Sequence, residues 1–175
     1  MKIIETTRTY LRNLQIEDAG FFYHLNRDPE VMKYTGDKQF DSIEAARTFL
    51  ENYDQPKKFG VGRFAVIRKE DNEFLGWNGL KYDAESNDYN IGYRFFKAFW
   101  NRGYATETAI ACISYGFKVL GLPRIIGRSA LDNKASISVL RKAGLTYSKK
   151  FDYEGKPWVI YVITKEDFEK SQVAF

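Results

Sequence analysis

Alternation and helical spacing divide the chain into short elements of both kinds. Thr6–Leu14 reads as a strand, rich in Thr, Tyr and Leu. Ile16–Asn26 then switches to helical spacing, with Ala19, Phe22 and Tyr23 on one face. Asp28-Pro29-Glu30 is a second helix start, a capping side chain followed by a proline and an acid. Asp41-Ser42-Ile43-Glu44 resembles a capping box with Asp41 at the cap. It predicts a helix to about Tyr53, striped by Ile43, Ala46, Phe49, Leu50 and Tyr53. Arg63–Arg68, Phe74–Tyr82 and Asp88–Phe95 read as strands joined by polar turns at hairpin length, an antiparallel meander. A helix over 105–120 presents the small residues Ala105, Thr108, Ala109, Cys112 and Gly116 on one face. Ile125–Ala130 reads as a strand, and Asn133 caps a shorter helix that Gly144 stops. Thr146–Tyr153 and Trp158–Thr164 form a last strand pair. The order predicts an α+β fold: a mixed, mostly antiparallel sheet flanked by helices.

Composition narrows the class. With 175 residues, 44% hydrophobic and 29% charged, the chain reads as one domain over 1–175 with a core of its own, and general disorder is excluded. One Cys and one His exclude an internal disulfide and a conventional zinc site, so no metal is expected. The 17% aromatic content suits a bulky β-rich core better than a base-stacking surface. The net charge is +4, but basic residues never run beyond pairs such as Lys57-Lys58 and Lys149-Lys150. Nucleic acid is therefore not an expected partner. The chain shows no secretory leader pattern and no apolar stretch of membrane-spanning length, which points to the cytoplasm and no membrane.

The most informative segment is Trp100-Asn101-Arg102-Gly103-Tyr104-Ala105-Thr106-Glu107, between the meander and the small-residue helix. Gly103 permits a tight turn and close backbone approach. The helix it opens offers unpaired N–H groups and a positive dipole end, and Arg102 adds a charged fork. Together they make an anion cradle suited to a pyrophosphate. Spacing alone leaves an ordinary strand-to-helix turn equally open. Neither a P-loop nor a GxGxxG signature is present.

At this point the chain resembles a known family. It is similar to the GNAT-fold N-acetyltransferases, in the branch of the ribosomal-protein N-terminal acetyltransferases (RimJ/RimL-like). The likeness spans nearly the whole chain. It rests on Thr7–Leu14 (TRTYLRNL), Asn26–Tyr34, Ile91-Gly92-Tyr93, Phe99–Glu107 (FWNRGYATE) and Asn133–Leu145, in that order. The resemblance implies acetyl-CoA as co-substrate and an amine as acceptor. It places the pyrophosphate on Arg102, Gly103, Tyr104, Ala105 and Thr106. The pantetheine arm pairs with the strand ending near Phe95 as an added strand would, and Asn133 bonds that arm.

Acetyl transfer needs a neutral amine, donors for an oxyanion and a group to stabilise the departing thiolate. The resemblance assigns the oxyanion to a backbone N–H near Phe95. Many relatives carry a Tyr, as acid for the thiolate, where this chain has Leu140. Ser136 is the candidate donor instead, with backbone capping as its other reading. Relatives often carry Glu where this chain has Asn90, which takes up no proton. Asp88, two residues earlier on the same strand face, is the candidate base, with surface solvation as the competing role. Glu107 reads as a first-turn helix partner. Tyr34, Phe40, Trp77, Tyr82 and Trp158 are candidates to line the acceptor cleft or to fill the core. Two other functions compete: a non-catalytic acetyl-CoA-binding module, and a basic ribosome- or RNA-associated protein. A protein N-terminus and a small-molecule amine both fit as acceptor, and monomer or homodimer is left open.

Overall fold

In the computed structural model, which describes residues 1–173, a single eight-stranded sheet organises the chain. Its strands are β1 (Lys2–Glu5), β2 (Thr9–Asn13), β3 (Arg63–Arg68), β4 (Phe74–Asp83), β5 (Asp88–Phe95), β6 (Arg124–Ala130), β7 (Thr146–Tyr153) and β8 (Lys156–Thr164). They lie in the order β1-β2-β3-β4-β5-β6-β8-β7. Neighbours are antiparallel except β5 and β6, which run parallel. A parallel pair needs a long crossover, and the helix α5 (Tyr104–Lys118) supplies it. The mixed, mostly antiparallel sheet is the one expected.

Each face of the sheet has its own helical cover, because side chains alternate along each strand. Ala65, Ile67, Phe74 and Trp77 meet α1 (Ala19–Leu25) and α3 (Ile43–Glu51) through Phe22, Leu25, Ala46 and Leu50. Short helices α2 (Pro29–Met32) and α4 (Gln55–Phe59) link these elements to the sheet. On the opposite face Val66, Leu75, Leu80, Ile91 and Ile125 pack with α5 and α6 (Lys134–Lys142) through Ile113, Phe117 and Leu140. The chain's described part ends in α7 (Lys165–Val173). No helix among the described residues is long and apolar enough to cross a membrane.

Several boundaries differ from expectation for local reasons. The predicted strand from Thr6 begins only at Thr9, because Thr6 and Thr9 bond each other in the turn after β1. The expected helix from Ile16 opens as a 3-10 turn, Ile16–Asp18. There Asp18 is drawn back onto the Gln15 N–H and a fork from Arg12, both nitrogens at 2.8 Å. Ser42, not Asp41, caps α3, accepting from the Ala45 N–H at 3.1 Å. Ile43 and Phe49 of its predicted stripe are exposed. β1, α4 and α7 lack a clear periodic pattern and were not anticipated.

The join between β5 and β6 positions the site. The strands are in register only at Asn90↔Ile126 and Ile91↔Gly127. From Gly92 to Phe95, β5 keeps its pairing with β4 and, among the described residues, has no strand partner on its other side. Leu140 acts as a plug at the branch point: a Cβ on Gly127 would lie 2.4 Å from its Cδ2. Backbone polar groups inside a sheet require partners, so this opening suits a ligand bearing amides.

Candidate active site

The turn before α5 is held from outside its own sequence. Asn101 and Gly103 both adopt left-handed backbone, with φ of 59° and 80°. That alternation turns successive N–H groups toward one side and forms an anion-binding concavity. Among the described residues, no acceptor meets the backbone N–H groups from Asn101 to Thr106, and the first internal bond runs from the Glu107 N–H to the Gly103 carbonyl. Arg8 fastens the turn. Its Nε donates to Glu107 at 2.7 Å and its backbone N–H at 2.9 Å. Its Nη1 donates to the Arg102 carbonyl at 2.8 Å, and the guanidinium covers the Tyr104 ring at 4.3 Å. Burial pushes the Glu107 carboxyl up, but bonds from Thr6 and Arg8 outweigh it and hold the pKa below the ordinary value. Tyr104 is buried, Ala105 and Thr106 are half-buried, and Arg102 is exposed with its guanidinium free among the described residues. Trp100 ties the turn to the opening, its indole N–H donating to the Phe95 carbonyl at 2.8 Å.

A second group stands across the opening. Asn133 accepts from the Ser136 N–H at 3.1 Å and caps α6, leaving its amide nitrogen free to donate. The Tyr93 hydroxyl donates to the Ser136 carbonyl at 2.9 Å and lies 3.1 Å from Ser136 Oγ. Burial pushes the Tyr93 phenol up to about 12, against a smaller opposite effect of its bond with Ser136, so it stays protonated through the physiological range. Sequence reading quoted Tyr93 only as part of Ile-Gly-Tyr and gave it no role. Leu140 is wholly buried and belongs to the core.

Asp88 is placed elsewhere. It begins β5, opposite Asp83 at the β4–β5 turn, beyond the paired end of β5 and β6. Arg124 forks its carboxylate at 2.6 and 2.8 Å, and the residue is buried rather than solvated. The geometry thus gives Asp88 an ion-pairing role and does not bring it to the opening. Cys112 is buried, and burial pushes its thiol pKa up, which disfavours a thiolate nucleophile.

The face of β5 opposite α6 carries Asn90, Gly92 and Arg94. Gly92 pairs with Gly79, and a Cβ there would lie 3.3 Å from Arg63 Nη2 and 3.4 Å from Trp77 Cζ3. Arg63 and Arg94 both lie against the Trp77 ring, at 4.3 and 5.3 Å. Arg94 bonds Asn26 and Asp37. Of the aromatics considered for the cleft, Trp77 is at this place. Phe40 packs on Phe49, Tyr82 on Phe59 and Tyr89, Trp158 on Phe151 and Tyr153, and Tyr34 lies under Lys33.

A parted parallel strand pair beside an amide-rich turn is a specific geometry, and comparison with known proteins places the chain in a family. Residues 8–146 match the family described as Acetyltransferase (GNAT) domain. The chain belongs to the GNAT acetyltransferase family. It is 33% identical over 159 residues to the uncharacterized N-acetyltransferase p20 of Bacillus licheniformis, covering 88% of each chain. A GNAT-family acetyltransferase structure from Bacillus anthracis superposes with a TM-score of 0.80 at 28% identity, covering 93% of this chain and 98% of that one. The RimL ribosomal L7/L12 alpha-N-protein acetyltransferase, solved in complex with coenzyme A, shares the fold at a TM-score of 0.81 and 17% identity, over 94% and 98% of the two chains. This GNAT chain therefore has the expected fold and family chemistry, N-acetyl transfer.

Proposed function

We propose that the chain transfers an acetyl group from acetyl-CoA to an amine by direct attack on the thioester. The observation that carries this reading is the unpaired edge of β5, Gly92–Phe95, tied by Trp100 to the unpaired N–H groups of 101–106. One site thus offers partners for an extended amide-bearing arm and, next to it, for a diphosphate. When bound, acetyl-CoA supplies the thioester carbonyl and a thiolate leaving group.

The backbone N–H groups of Gly103, Tyr104, Ala105 and Thr106 and the Arg102 guanidinium hold the diphosphate. Asn133 bonds the arm through its free amide nitrogen. A backbone N–H near Phe95 faces the thioester oxygen and stabilises the oxyanion as the amine nitrogen bonds the carbonyl carbon. Ser136 Oγ–H, which rests on the Tyr93 oxygen, turns to the sulfur as the carbon–sulfur bond breaks. No free carboxylate among the described residues stands at the opening, since Asp88 is held by Arg124 and Asp37 by Arg94. The acceptor therefore arrives as the neutral amine, and its surplus proton leaves to water. A cleft lined by arginines favours that neutral form over an ammonium.

The same lack of a base favours a second reading, an acetyl-CoA-binding module without turnover. Thiol release from acetyl-CoA across a panel of amines separates the two. Amine-dependent release supports the enzyme; tight acetyl-CoA binding with no release for any amine supports the module.

A further inference from the structure

Arg63 carries a half-buried charge that no step above employs. Its Nε is sealed from solvent and has no hydrogen-bond partner. No acceptor among the described residues meets its terminal nitrogens, and its one bond is from the backbone N–H to the Tyr53 hydroxyl. Burial pushes its pKa below the ordinary arginine value; Arg94 adds to that, and Tyr53 and Asp37 oppose it. The group nevertheless stays charged. A partly desolvated guanidinium with no counter-charge gains by meeting one.

Stacking on Trp77 does not satisfy it. The indole meets the face of the guanidinium, whereas the N–H donors point outward in its plane. The acids of this sheet face are already engaged with other arginines: Asp37 with Arg94, Asp83 with Arg128 and Asp88 with Arg124. Arg63 has none. It also lies beside the proposed reaction site. Its Nη2 sits over Gly92, the first residue of β5 beyond the pairing with β6. Arg128 stands on β6 two residues after Ile126, on the far side of the same opening, and Asn90 is two residues before Gly92. The Nε of Arg128 and the Oδ1 of Asn90 are likewise buried without partners. Arg128 turns its Nη2 to Asp83 and Ser86 at the β4–β5 turn, so Arg63 alone reaches over Gly92.

We propose that the acceptor is an amine that also carries a carboxylate, and that Arg63 receives that carboxylate over Gly92. The inference rests on the acetyltransferase reading above. A planar guanidinium fork matches a carboxylate in shape and charge. One uncompensated charge balances a carboxylate rather than a phosphate dianion, and it repels a polyamine. Asn90, two residues before Gly92 on the same face of β5, supplies a further acceptor for the polar remainder of the same molecule.

The test uses the full chain and matched amines: a set of amino acids, their carboxamides, phosphoethanolamine and spermidine, with thiol release from acetyl-CoA as readout. Carboxylates should exceed their carboxamides in kcat/KM by about 10- to 100-fold, the value of one charge-assisted hydrogen-bond pair. Arg63→Gln should abolish that preference while the KM for acetyl-CoA stays unchanged, and Arg63→Lys should keep part of it. Carboxamides or spermidine turned over as well as the carboxylates would overturn the proposal, and so would a preference for phosphoethanolamine. A binding arm separates this from failure of the enzymatic reading. N-acetylated amino acids added to the protein–CoA complex should shift the Trp77 indole N–H resonance in the wild type and not in Arg63→Gln. With that shift present and no amine turned over, the acetyltransferase reading fails and the carboxylate site stands. Equal shifts in both proteins, or from the N-acetylated amides, would remove the site.

Discussion

The two sides of the β5–β6 opening are built differently. The proposed donor side is backbone from one contiguous stretch, residues 101–106, shaped by left-handed Asn101 and Gly103 and opening directly into α5. The proposed acceptor side consists of side chains from separate strands: Arg63 on β3, Trp77 on β4 and Asn90 and Arg94 on β5. Backbone amides present the same chemistry whatever residues carry them, so such a site suits a common co-substrate. Side chains set by register change one at a time, so such a face suits the acceptor that distinguishes one enzyme from another.

The most damaging change should be one that breaks the register beneath the acceptor face. A Cβ on Gly79 would lie 2.2 Å from the Gly62 carbonyl oxygen and 2.8 Å from Arg63 Cα, both backbone with little room to yield. Gly79→Ala is expected to cost about 3 kcal/mol or more. Urea denaturation measures it, and an unchanged midpoint would mean that β3 and β4 approach less closely than described.

Next in size are changes to the pair across the opening. Ser136→Ala should lower kcat about 10- to 100-fold, toward the lower end for a lost acid, with the acetyl-CoA KM nearly unchanged. Tyr93→Phe should act through Ser136 and lower kcat less. Neither variant should move the pH profile of the reaction, which follows the acceptor's own ionisation. An unchanged kcat in Ser136→Ala, with chemistry limiting, would leave Ser136 as a helix-cap partner alone.

Arg8→Ala should weaken donor binding and lower stability by about 1 kcal/mol, a modest value because its side chain is 42% exposed. Its pH dependence is specific. Glu107 has a depressed pKa in the fold, so its contribution is complete above the unfolded value of 4.5 and fades as pH falls through the folded value. The stability gap between wild type and Arg8→Ala is therefore full at neutral pH and narrows below 4.5. A gap that widens in acid would contradict this role.

The smallest effect on catalysis is expected from Asp88→Asn, which should leave kcat/KM within a few-fold. A fall of about 100-fold or more, the range for a lost general base, would return Asp88 to the chemistry with Arg124 as its tuning partner.

The difference between the two sides also decides what the sequence reveals. The turn before α5 was legible because FWNRGYATE carries its glycine, arginine and helix start in a single run. So were the Asn133 cap and the meander, which rest on local spacing. Arg8 escaped notice because its partner Glu107 is 99 residues away. Arg63 stood in the sequence as an ordinary first strand residue. Only the pairing Arg63↔Gly79↔Gly92 reveals that it overlies a gap left by glycine. The ion pair of Asp88 was hidden for the same reason: the strand pattern put it on the correct face, but Arg124, which holds its carboxylate, comes from the neighbouring strand. Periodicity reports which face a residue takes, while the partners across that face depend on register and topology.

The central claim is that the 101–106 turn holds the diphosphate of the donor. Calorimetric titration of wild type and Arg102→Ala with acetyl-CoA, and with S-acetyl-pantetheine, which lacks the diphosphate, tests it most directly. The account predicts that the substitution weakens acetyl-CoA by about 1.5–3 kcal/mol, the range for hydrogen bonds to a charged group, and leaves S-acetyl-pantetheine binding unchanged. An equal loss for both ligands would contradict it.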